Sequence, residues 1–181
     1  MNAKHEARMK ELFALEGKVA AISGAGGVLF GAVARGLAEM GVKVAAMDLR
    51  LPEAQKTADD INKAGGEAIG LEVNVLKQES VQLARDQIIS KFKRVDILIN
   101  GAGGNHPKAI TKKEDNINFT DLTVDGIRFV FELNIIGTVI PSLVFAKDMI
   151  RQGEGVIINT SSMSADTPLS RTRPTPPPRP A

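Results

Sequence analysis

A doubly wound α/β domain built on a parallel sheet is the fold class this sequence predicts, and three observations predict it. Short apolar runs alternate with stretches of helical length and period from residue 18 to residue 162, the pattern of strands joined by helical crossovers. The first run, Val19-Ala20-Ala21-Ile22-Ser23, is apolar at nearly every position, which suits a strand buried on both faces. It leads straight into Gly24-Ala25-Gly26-Gly27-Val28-Leu29-Phe30-Gly31, a glycine cluster that opens a helical pattern.

The first strand is expected over residues 18–23 and the helix after it over 28–40, closed by Gly41. In such a turn, glycines let the backbone approach a pyrophosphate, and the helix N-terminus offers it free N–H groups and a positive dipole end. Glycines also serve strand-to-helix turns for packing alone, so context decides. The second strand, residues 42–48, ends on Asp48, 24 residues after Gly24. A carboxylate there accepts hydrogen bonds from the adenosine ribose hydroxyls and repels a 2′-phosphate, which favours NAD over NADP; Arg50 tempers that preference. The alternative for Asp48 is an acid at the N-terminus of the helix that begins near Pro52.

A helix follows over 52–64, stopped by Gly65-Gly66. Residues 68–73 form a third strand that runs into Asn74-Val75, and 77–92 a helix with apolar positions at Val81, Leu83, Ala84, Ile88 and Ile89. Residues 95–99 form the fourth strand and run into Asn100-Gly101-Ala102-Gly103-Gly104. Residues 105–122 read as a polar loop of the length that is usually functional or mobile. A long apolar helix is expected over 123–151, carrying Asn134, with Pro141 kinking or re-capping it. The fifth strand, residues 155–162, ends in hydroxyls. The sum is a Rossmann-like doubly wound parallel sheet truncated after its fifth strand, whose exposed last edge is a site for aggregation. Residues 1–16 are a helical lead in which His5 is a solvated surface residue, 17–170 an incomplete dinucleotide-binding domain, and 171–181 a Pro/Arg-rich tail without helical or strand period.

Composition limits the function. The 181 residues suffice for one domain, and 43% hydrophobic content for a core. With 23 basic and 21 acidic residues there is no electrostatic case for nucleic acid or an anionic membrane. The absence of Cys excludes disulfides and thiolate metal sites, and no metal is expected. No apolar run is expected to span a bilayer, and the N-terminus lacks the apolar core of a signal peptide, so a cytoplasmic protein is expected. There is no Tyr.

The glycine turn at 23–31, Asp48, Asn100-Gly101-Ala102-Gly103, Asn134 and Asn159-Thr160-Ser161-Ser162 together resemble the short-chain dehydrogenase/reductase family over residues 18 to about 170. Gly103-Gly104-Asn105-His106-Pro107-Lys108 and Ser162-Met163-Ser164-Ala165 look most like its fructuronate reductase (D-mannonate oxidoreductase) branch. The resemblance implies hydride transfer between NAD and a sugar acid. It implies a homo-oligomeric parent. It also implies Ser162 as the hydroxyl that bonds the substrate oxygen and Asn134 as support for a water relay. Cofactor binding would fall to Ser23, Gly24, Gly26, Gly27, Val28, Leu29, Asp48, Asn74, Val75, Asn100, Gly101, Ala102 and Gly103.

The sequence departs from that family at four places. Val28 and Phe30 replace glycines of the turn, and Phe30 is expected to crowd the nicotinamide side. Asn74 stands where an Asp commonly meets the adenine amino group. The Tyr-x-x-x-Lys pair that supplies the family's acid/base is missing, and Thr175-Pro176-Pro177-Pro178-Arg179 stands near its place. One permitted codon choice for residues 172–180, read from its third base, encodes Pro-Ala-Tyr-Ser-Ala-Ala-Lys-Ala. The expectation is a frameshift near residues 170–172 that truncated a reductase and left it inactive; the gene's nucleotide sequence tests it. A non-catalytic NAD-binding remnant, or a truncated product with no function, is the alternative.

Overall fold

A computed structural model describes residues 14–111 and 117–162. The helical lead, the tail, the 163–165 part of the branch resemblance and the frameshift segment lie outside the described residues, apart from the last three residues of the lead.

Five strands, β1 (Val19–Ser23), β2 (Lys43–Asp48), β3 (Ala68–Glu72), β4 (Ile97–Asn100) and β5 (Val156–Asn159), form one sheet in the order β3-β2-β1-β4-β5. Every pairing is parallel. The order reverses direction between β1 and β4, which makes that junction the topological switch point of the sheet. Register then sets the site: Ser23 lies opposite both Met47 and Asn100, and Asn100 opposite Asn159. The residues at the carboxyl ends of β1, β4 and β5 therefore stand side by side.

Alternation along β1 divides the core. Ala20 and Ile22 pack with Ala34, Ala58 and Ile61 on one face of the sheet. Val19 and Ala21 pack with Val81, Ile88, Leu98 and Phe145 on the other. Helices α1 (Val28–Glu39) and α2 (Leu51–Lys63) thus cover the first face, and α3 (Gln78–Phe92) with the later helix α5 (Gly137–Gln152) cover the second. Gly41, at φ +81°, ends α1 as expected.

The elements agree with the sequence reading within two residues at most ends, and three points differ. Leu83 was expected among the apolar positions of α3 but is exposed, because the buried stripe is Val81, Ala84 and Ile88. The loop after β4 carries two short 3₁₀ turns, Pro107–Ala109 and Phe119–Asp121. The long helix does not change at Pro141. It runs as α4 (Val124–Phe131), a π-turn (Glu132–Ile136) and then α5, with Pro141 buried inside α5. Proline has no N–H for the Gly137 carbonyl. Side chains of the same stretch stitch the helix instead: Thr138 Oγ1 donates to the Asn134 carbonyl (3.0 Å) and Ser142 Oγ to the Thr138 carbonyl (2.7 Å).

Because helical structure continues through the π-turn, Val124–Gln152 is a 29-residue run long and apolar enough to cross a membrane by length and composition alone. The expectation that no run reaches that length is corrected on this point. Phe145, Val144 and Met149 nevertheless pack this run into the core beneath the sheet.

Candidate functional site

The glycine turn sits at the switch point, where close approach demands glycine. Gly24 holds φ +72°, and a Cβ there would meet the Gly101 carbonyl at 2.9 Å. A Cβ on Gly26 would meet Glu53 Cβ at 2.5 Å and Asp48 Oδ2 at 2.8 Å. The turn therefore has to be bare for β1, β4 and α2 to converge. No side chain caps α1: Gly27, its N-cap, is extended, and the first-turn N–H groups of an uncapped helix are donors an anion can accept from.

Asp48 is aimed at this turn. Its Oδ2 accepts the Gly26 N–H (3.1 Å) and its Oδ1 the Arg50 N–H (3.1 Å). These bonds fix the carboxylate beside the turn, and each oxygen keeps a further lone pair. Ser23 is buried and works between strands. Its hydroxyl accepts the N–H groups of Gly101 (3.1 Å) and Ala102 (3.2 Å), tying the end of β1 to the loop after β4.

A cavity of about 630 Å³ opens over these residues. Of the thirteen positions expected to bind the cofactor, eleven line it: Ser23, Gly24, Gly27, Val28, Leu29, Asp48, Asn74, Val75, Gly101, Ala102 and Gly103. Gly26 and Asn100 stand one layer back. Gly26 holds the Asp48 carboxylate. Asn100 is buried, and its Nδ2 donates to Ser142 Oγ (3.0 Å) and Asn159 Oδ1 (2.8 Å), which joins β4 to α5 and β5. Asn74 Oδ1 accepts the Leu76 N–H at 3.0 Å and retains acceptor capacity.

Phe30 finds its place against a glycine. A Cβ on Gly101 would lie 2.4–2.6 Å from three carbons of the Phe30 ring. The ring occupies the volume a side chain at 101 would need and forms part of the cavity wall. Phe129 and Leu133 also line the cavity, and sequence reasoning missed them. Their spacing of four residues just before Asn134 was the available signal, masked by the uniformly apolar stretch around it.

Asn134, expected within an apolar helix, is exposed and closes on the loop after β4. Its Oδ1 accepts the Gly104 N–H (3.1 Å), and its Nδ2 donates to the carbonyls of Gly104 (2.8 Å) and Val130 (2.7 Å). Ser162 follows β5 past Thr160, which donates through both N and Oγ1 to the Asn100 carbonyl (3.3 and 2.7 Å).

A bare glycine turn, an uncapped helix N-terminus and a strand-end carboxylate, converging at a sheet's switch point, define a dinucleotide-binding α/β protein. The short chain dehydrogenase model matches residues 18–173, and the chain belongs to that family of NAD(P)-dependent oxidoreductases. An uncharacterized oxidoreductase of Haemophilus influenzae is 46% identical over 165 residues, covering 87% of this chain and 58% of its own length. The uncharacterized oxidoreductase UxuB of Bacillus subtilis is 40% identical over 163 residues, covering 87% and 59%. A crystal structure from Haemophilus influenza, assigned as a D-mannonate oxidoreductase with bound NAD, superposes at TM-score 0.80 with 47% identity, covering 86% of this chain and 59% of that one. The chain thus spans less than two thirds of the length of these relatives.

Proposed function

We propose that this chain carries the NAD-binding half of an oxidoreductase that moves hydride between nicotinamide and a sugar acid of the fructuronate/mannonate kind, and that it binds NAD without turnover. The carrying observation is the Asp48 carboxylate, locked by two backbone N–H groups beside the glycine turn at the mouth of the cavity. NAD supplies the hydride acceptor when bound. Gly24, Gly27 and the first turn of α1 receive the pyrophosphate, and Asp48 takes the adenosine ribose and disfavours the 2′-phosphate of NADP. Asn74 and Val75 meet the adenine, and Gly101, Ala102 and Gly103 the far side of the cofactor. Ser162 bonds the substrate oxygen. Asn134 supports a water relay and holds the Gly104 backbone beside it. The sugar-acid substrate is supported by the relative assigned as a D-mannonate oxidoreductase. A homo-oligomeric parent and a cytoplasmic location complete the reading.

The 181 residues hold no Tyr, and Thr175-Pro176-Pro177-Pro178-Arg179 stands near the place of the family's acid/base pair. Loss of a positioned acid/base typically costs about 10²–10⁴ in rate. The second reading, a remnant without catalysis or a product without function, rests on the same absence. Calorimetry with NAD and NADP, together with an assay for mannonate-dependent NADH formation, tests both. NAD binding without turnover is expected. NADH formation at a rate normal for such enzymes overturns the claim of inactivity, and absence of NAD binding overturns the cofactor site.

A further inference from the structure

We propose that His106 and Lys108, in the loop after β4, form a binding site for the carboxylate of an acidic sugar at the rim of the cofactor cavity. The proposal rests on the oxidoreductase reading for its ligand class, and on local geometry for the site.

The loop leaves the carboxyl end of β4, where ligands of doubly wound sheets bind, directly after the cavity-lining Gly101-Ala102-Gly103. It is fastened at both ends. Asn134 holds Gly104 through its N–H and its carbonyl. The Lys108 carbonyl accepts the Thr123 N–H at 3.0 Å, and the Ala109 N–H donates to the His106 carbonyl at 2.8 Å. Gly126 of α4 lies flush on this turn: a Cβ there would come within 3.0 Å of the Lys108 carbonyl group. A loop held this way presents its side chains in a fixed place, as a binding site requires.

The chemistry follows from one bond. His106 Nδ1 accepts the Lys108 N–H at 3.1 Å. A ring nitrogen that accepts carries no proton, so the proton of the neutral ring sits on Nε2, which is a donor. The half-buried ring stands edge-on to Phe129, with centroids 5.3 Å apart, and Phe129 lines the cavity. The ring is thereby fixed in orientation as well as tautomer, against a residue of the cavity wall. Two residues on, Lys108 is exposed, and among the described residues its ammonium makes no ion pair. An N–H donor and a cation without an ion pair among the described residues, on one fastened turn, match a carboxylate, which only accepts. A neutral sugar offers hydroxyls to Nε2 but nothing to the ammonium, so the pair discriminates by charge.

The sequence has two histidines, so His5→Gln leaves His106 as the single imidazole signal in a proton NMR spectrum. That chain is titrated with D-mannonate and with D-mannitol, with and without NAD. The His106 ring signal is expected to move saturably with mannonate and to stay in place with mannitol. Lys108→Met should weaken the mannonate response by about tenfold, the loss of one charge-assisted contact. A signal unmoved by mannonate in both series, or moved equally by mannitol, overturns the site. A full response in Lys108→Met removes the lysine from it. NAD binding is measured separately by calorimetry, so failure of the cofactor reading shows there, while failure of the carboxylate site shows at His106.

Discussion

Both carboxylate oxygens of Asp48 are already engaged, one by Gly26 and one by Arg50. A carboxylate serves two backbone donors and a ribose at once because each oxygen accepts more than one hydrogen bond. An asparagine has only one acceptor atom, and its NH₂ would face a backbone N–H. Asp48→Asn is therefore expected to weaken NAD binding by about tenfold or more, in line with roughly 1.5–3 kcal/mol for bonds to charged groups. It should also narrow the gap between NAD and NADP, since the charge that repels the 2′-phosphate is gone. Calorimetry with both nucleotides measures the change, and unaltered NAD affinity would remove Asp48 from the site. This residue was legible in the sequence because strand end, glycine turn and helix start are local features that recur in order. Phe129 was not, because a helical residue that lines a cavity and one that enters a core share the same period. The fit of Phe30 to Gly101 was hidden for a related reason: the two positions are far apart in sequence and meet only through the β1–β4 pairing.

α5 is held to α3 by charge as well as by packing. Asp148 is buried, receives Arg85 Nε at 2.6 Å together with Arg85 Nη2, and is bonded by Arg151 Nη2 at 2.8 Å. The Arg85 guanidinium holds the Asp148 carboxyl below the ordinary carboxylate range, against the opposing effect of burial. At the amino end of the sheet, burial pushes Asp96 upward. Arg94, the Val19 N–H and Lys18 together outweigh that push and leave it low as well. A carboxyl depressed in the folded state stabilises above its unfolded pKa and loses that contribution as pH falls through its folded value. The melting temperature should therefore hold near neutrality and drop below about pH 4, where unfolded aspartates take up protons. Asp148→Ala should cost about 3 kcal/mol at neutral pH, since it strips a partly buried Arg85 of its main partner, and it should flatten the acid slope. Thermal melts of both proteins from acid to neutral pH check this; an unchanged acid slope in the variant would show that the pair is not coupled to folding. The sequence placed Arg85 and Asp148 on their helices but could not pair them, because that contact depends on how two crossovers share one face of the sheet.

Across the described residues of the molecule, exposed apolar surface is unevenly distributed. The faces of the sheet are well covered near β1 and β2, where every residue of β1 is buried. On the β5 side the cover thins: Val156 is 55% and Ile158 48% exposed on a strand that forms one edge of the sheet. The adjoining helical run leaves Phe131, Ile135, Leu143 and Ile150 exposed, and Leu143 and Ile150 reach 62% and 78%. An edge strand beside an apolar helix face is a template for other chains. The parallel order, with β5 at one edge among the described residues, was readable from the alternation of elements. The apolar helix face was not, because the same residues would also suit a fully buried helix. The chain is therefore expected to self-associate as its concentration rises toward about 0.1 mM, a range in which exposed edges and apolar patches commonly associate. Sedimentation velocity over a concentration series should show growing mass. Leu143→Glu combined with Ile150→Lys should return the protein toward a single small species, with a folding stability changed by no more than about 0.5 kcal/mol for each exposed position. A wild-type chain that sediments as one monomeric species throughout the series would mean that this face is shielded by the protein itself. A double variant that still associates would shift the contact from the helix face to the β5 edge.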